Sequence, residues 1–74
     1  MKENPKISDR EQQVLRLVAF EMTTKEIARE LYISEHTAIS HRKNLIEKLK
    51  VKNSAGLVRK AFELGFLSFE KINY

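Results

Sequence analysis

The chain predicts an all-α fold of four helices. Three observations carry that reading. No stretch alternates apolar and polar residues with period two, so no strand pattern is present. Apolar residues recur instead at helical spacing in four segments. Each segment opens on a Ser, Thr or Asn, whose side-chain oxygen can accept a free helix N–H. Seventy-four residues allow one small domain. A chain this short buries only about 60% of its unfolded surface, so its margin of stability is thin.

Residues 1–7 are polar, hold the only proline, Pro5, and read as a tail or linker end. The domain is expected over 8–69, with 70–74 as a C-terminal tail. Helix one opens at Ser8, where Ser8 and Glu11 have the spacing of a capping box. Val14, Leu15, Leu17 and Val18 give its apolar stripe, and Ile7 can staple onto its first turn. Helix two opens at Thr23, and Glu26 repeats the box. Ile27, Ala28 and Leu31 form its inner face. At about two turns it cannot persist without packing.

Helix three is capped by Ser34 and runs to about Lys50. Helix four begins near Asn53 or Ser54, carries Leu57, Val58, Ala61, Phe62 and Leu64, and ends at Gly65, placed for a left-handed backbone. Phe66, Leu67 and Phe69 follow as a short apolar tail. A short helix two, the tight turn Tyr32-Ile33-Ser34 and a longer basic helix three together form a helix-turn-helix.

A turn of 100° per residue divides helix three into faces. Ala38, Leu45 and Leu49 fall within about 20° of one direction and define the core stripe. His36, Ser40, Lys43 and Glu47 cluster on the opposite side, and Ile39 lies between the two. Lys can donate to guanine N7 and O6, Ser can bond base edges or phosphate, and Ile can pack on a thymine methyl. Ile39 is therefore either a rim residue of the core or a base contact. Arg42 falls inside the apolar stripe, so it must snorkel, pair with Glu11 or Glu63, or reach a phosphate. His41 flanks the core and reads as a packed structural residue.

Charge supports the same direction. The net charge is +4, and Glu35 to Asn53 hold Arg42, Lys43, Lys48, Lys50 and Lys52 against Glu35 and Glu47. A solvated basic face is the bland account, and a polyanion-binding face the functional one. The N-termini of helices two and three, with Thr24, Lys25 and Thr37, offer free N–H groups and positive dipole to phosphate. Other classes are poorly served. With no cysteine there is no disulfide or thiolate site, which suits a reducing compartment. Two histidines make structural zinc a poor fit. No apolar run approaches the ~20 residues that span a bilayer, and the N-terminus has no secretory segment. No nucleophile–base pair or glycine-rich phosphate loop suggests an enzyme. The expectation is a cytoplasmic protein with no cofactor, no bound metal and no membrane partner.

Arg10-Glu11, Val14-Leu15, Lys25-Glu26-Ile27-Ala28, Leu31, Ile33-Ser34, Thr37, His41, Lys48-Leu49 and Val51, in that order and spacing, span roughly residues 7–67. With them the chain resembles the DNA-binding domain of LuxR-type transcription regulators (LuxR/FixJ, GerE-like). The resemblance implies a tetrahelical domain that binds double-stranded DNA and reads the major groove with helix three, about 35–50. It implies base contacts from Ile39, Ser40 and Lys43, with His36 on the same face. Phosphate contacts would come from Thr24, Lys25 and Thr37, joined by Arg42 and Lys48. A homodimer through helix four would use Leu57, Ala61 and Leu64, unless those residues are core. RNA polymerase is a further candidate partner.

The chain departs from the family pattern at five positions. Glu21 and Lys50 stand where glycine is usual, so the ends of helices one and three are open questions. Ala38 replaces valine, Ser54 replaces arginine, and Ile39 replaces a polar or basic base-contacting residue. Two rivals share the pattern. The −35-recognition region of a sigma factor has a similar helix-turn-helix, although His41 and Lys48-Leu49-x-Val51 favour the LuxR type. A protein-interaction module that kept the fold and lost base readout would account for Ile39 and Ser54.

Overall fold

A computed structural model describes residues 4–69. Four helices follow in order: α1 Asp9–Ala19, α2 Thr24–Leu31, α3 Glu35–Leu49 and α4 Ser54–Leu64, with no strand among the described residues. The helix starts fall where the caps predict. The Ser8 hydroxyl accepts from the Glu11 N–H at 3.0 Å, and the Glu11 carboxylate accepts from the Ser8 N–H at 2.9 Å. Thr23 and Glu26 form the same reciprocal pair at 3.2 and 2.9 Å. Ser34 caps α3 through the Thr37 N–H, and Asn53 caps α4 through the Gly56 N–H.

The helix ends share one device. Met22, Ile33, Val51 and Phe66 each donate an N–H to a carbonyl five residues back, those of Leu17, Ala28, Ile46 and Ala61. The residue before each of them, Glu21, Tyr32, Lys50 or Gly65, is left-handed. Its own N–H bonds the carbonyl three residues back. This is the Schellman turn, completed each time by an apolar residue that folds back onto the core. The glycine-free ends at Glu21 and Lys50 are thereby answered. α3 stops at Leu49, with Lys50 at φ 57°, in the conformation a glycine would take.

The core draws on every helix. Val14, Leu15 and Leu17 from α1, Ile27 from α2, Ala38, Leu45 and Leu49 from α3, and Leu57 and Ala61 from α4 are buried together with Leu67 beyond α4. α1 and α3 each pack against all the other helices, whereas the backbones of α2 and α4 do not approach each other closely. α3 is thus wedged between its neighbours along one stripe, which leaves its opposite face outside.

Two expectations are corrected. Leu57 and Ala61 are both fully buried within the single chain, and Leu64 is half-buried and packed on the core. The core account therefore holds for Leu57 and Ala61, which cannot meet a second copy while the domain is folded. Residues 4–7, read as a tail, are fastened down. The Asn4 amide donates to the Leu64 carbonyl at 3.1 Å, Lys48 donates to the Lys6 carbonyl at 3.2 Å, and Ile7 packs on the core. The expected tail at 70–74 lies outside the described residues.

Candidate nucleic-acid interface

The angle between α2 and α3 is set by Tyr32, Ile33 and Ser34. Tyr32 turns the chain at φ 57° and ψ 43° with its side chain 96% exposed. Ile33 tucks against the core, and Ser34 starts α3. The Ser34 hydroxyl also donates to Thr37 Oγ1 at 2.8 Å, which fixes the first turn of α3.

With Ala38, Leu45 and Leu49 seated in the core, the far side of α3 presents His36, Ile39, Lys43 and Glu47 to solvent, with Ser40 half-buried beside them. The face selected by the helical wheel is therefore one continuous outward surface. Ile39 is 41% exposed and is absent from the apolar side chains packed against the core. It is the exposed large apolar side chain of α3. Asn44, also exposed and about 40° round from Ser40, was passed over in the sequence reading. Its amide, a donor and acceptor of the kind that pairs with adenine, was the available signal.

The cations divide into two groups. Lys25, in the first turn of α2, and Lys43 are exposed and have no ion-pair partner among the described residues. Arg42 and Lys48 are engaged. Arg42 is half-buried and pairs with neither Glu11 nor Glu63. Its Nη1 donates to the Ser54 hydroxyl at 2.9 Å, tying α3 to the start of α4. The serine at the position where the family carries arginine thus serves as an acceptor for Arg42. Lys48 donates to Glu11 Oε1 at 2.8 Å, joining α3 to α1. Glu63 is left to Arg59 and, more distantly, Lys60.

Glu11 is a buried carboxylate whose Oε1 accepts from both the Ser8 N–H and Lys48. Burial alone would raise its pKa. The bond from Lys48, the Ser8 N–H, the Lys48 charge and the Ser8 hydroxyl together outweigh burial and hold it below the usual carboxylate value. Glu26 is also lowered, chiefly by the Thr23 N–H. Thr24 and Thr37, at the helix starts, are half-buried. Among the described residues no group of His, Asp and Glu could hold a metal ion, and no helix is long and apolar enough to cross a membrane.

Residues 5–61 match the family described as "Bacterial regulatory proteins, luxR family". The chain belongs to that family. It is 41% identical over 63 residues to the spore germination protein GerE of Bacillus subtilis, covering 85% of each chain. It is 46% identical over 57 residues to the transcriptional regulatory protein UhpA of Escherichia coli, covering 77% of this chain and 29% of UhpA. It is 42% identical over 62 residues to the transcriptional regulatory protein MctR of Rhizobium johnstonii, covering 84% of this chain and 29% of MctR. The chain thus spans under a third of two of these relatives and most of the third.

The structure of the transcription factor GerE superposes with a TM-score of 0.79 at 34% identity, covering 84% of this chain and 92% of that one. A Vibrio cholera VqmA–ligand–DNA complex superposes with a TM-score of 0.77 at 27% identity, covering 89% of this chain and 29% of that one. This luxR-family domain is accordingly a DNA-binding domain of the transcription-regulator class. The family match also decides against the sigma-factor rival.

Proposed function

We propose that the domain docks α3 in the major groove and reads base edges with His36, Ile39, Ser40 and Lys43. The observation that carries this reading is the outward face of α3, fixed in place by the buried Ala38, Leu45 and Leu49 on its other side. Rigid presentation matters because base contacts are productive only in one register. Lys25 and the hydroxyls of Thr24 and Thr37 sit at the two helix starts, where free N–H groups and dipole favour phosphate. Such contacts position the domain without reading sequence. Arg42 and Lys48 add positive potential from positions where they also hold the fold together.

Two copies would bind adjacent half-sites about one helical turn apart. A dimer through helix four then has to use its outer flank. Ala55 and Arg59 are exposed there, Val58 and Phe62 are half-buried, and the Phe62 ring lies 5.3 Å from that of Phe69. The domain would act in the cytoplasm, with RNA polymerase as a further partner of the bound complex.

Selection of bound duplexes from a random pool tests the reading. The expected product is a pair of related half-sites bound with steep salt dependence. Lys43→Ala should then cost about 1–3 kcal/mol on the selected site and relax specificity there. Equal losses on selected and random duplex would assign Lys43 to phosphate alone, and no binding to any duplex at low salt would refute the whole reading.

A further inference from the structure

The geometry points to Ile39 as the reader of a thymine 5-methyl group, so that each half-site contains one thymine recognised by apolar contact. This inference rests on the proposed docking of α3 in the major groove. Its ground is the placement of one apolar side chain. Ile39 stands 41% exposed at the edge of the outward face and is not among the apolar residues packed on the core. Its immediate company is polar: His36 and Lys43 are exposed one turn to either side, and Ser40 follows it. Folding gives this side chain no burial of the kind its neighbours Ala38 and Leu45 receive.

The major groove offers one base with an apolar group at its edge. Thymine presents a methyl beside its O4 acceptor, whereas cytosine and adenine present amino donors and guanine presents acceptors. Isoleucine can bond none of these polar groups. Set over an amino group, it would strip the donor of water and return nothing. Set over a methyl, it buries apolar surface on both partners. β-Branching adds to the fit, because isoleucine in a helix holds one χ1 rotamer and loses little freedom on docking. Lys43 lies one turn further, about 6 Å along the helix axis. That rise corresponds to about two base-pair steps of 3.4 Å, so the methyl would stand close to the base pair that Lys43 reads.

Deoxyuridine removes the methyl and leaves the pairing edge of thymine unchanged. In the selected duplex, each thymine is replaced by deoxyuridine in turn, and binding is measured for the wild-type domain and for Ile39→Ala. One replacement per half-site should weaken the wild type by about fourfold, the worth of one buried methyl, and replacement in both by about fifteenfold. The same replacements should leave Ile39→Ala unaffected. Ile39 is outside the core, so a thermal melt of Ile39→Ala should match the wild type. Two results would overturn the inference while leaving α3 docking intact: salt-sensitive binding that no deoxyuridine weakens, or a loss of the same size in both proteins. Absence of binding to any duplex would overturn the docking and the inference together.

Discussion

Glu11 and Lys50 show how single residues here serve more than one purpose. Glu11 closes the capping box of α1, and its carboxylate also receives Lys48 from α3. Removing it with Glu11→Ala should cost about 1–3 kcal/mol in chemical unfolding, because a charged hydrogen bond and a cap are lost together. Its lowered pKa gives the effect a pH dependence. A carboxylate depressed in the folded state stabilises fully above its unfolded value, near 4.5, and loses that contribution as pH falls through the lower folded value. The stability gap between wild type and Glu11→Gln should therefore narrow on acidification through that range. A gap that stays constant down to pH 3 would remove Glu11 from the acid response. Lys50 sits in the left-handed region, where a side chain costs about 1–2 kcal/mol. Glycine relieves that strain and loses about half of the gain to chain entropy. Lys50→Gly should thus raise stability by about 0.5–1 kcal/mol, read as an upward shift of the melting temperature.

At the scale of elements, helix starts were legible and helix contacts were not. Ser8, Thr23, Ser34 and Asn53 announce their helices because a cap is a local bond between residues three apart. Gly65 announced its helix end for the same reason. Glu21 and Lys50 did not, because their left-handed backbone is imposed by Met22 and Val51 packing back onto the core. The outward face of α3 was legible from periodicity. The pairings of Lys48 with Glu11 and of Arg42 with Ser54 were not, since they join positions 37 and 12 residues apart. Leu57 and Ala61 exposed a further limit. Periodicity gives the apolar side of α4 but not whether that side meets this chain or another. Leu57→Asp should accordingly abolish folding, measured by circular dichroism. A folded monomer that fails only to pair would return Leu57 to the interface.

For the whole molecule, the separation of its cations predicts how binding should respond to salt. Each phosphate neutralised contributes a slope of about −0.9 in log affinity against log salt. Lys25→Ala should weaken selected and random duplex alike and reduce that slope by about 1. An effect confined to the selected duplex would make Lys25 a base contact. Lys48→Ala is expected to behave differently. Its ammonium is held by Glu11, so the loss should register first in thermal stability, with the salt slope little changed.

α2 and α4 each pack on α1 and α3, and their backbones do not approach each other closely. Neither is packed backbone to backbone on the other, so each can open on its own. Amide hydrogen exchange should therefore release them independently, with α2, held by only two turns and few buried side chains, among the first. The amides around Leu15 and Leu45 should exchange last, at the cost of global unfolding. α2 would then be able to loosen and re-form while α3 keeps its place.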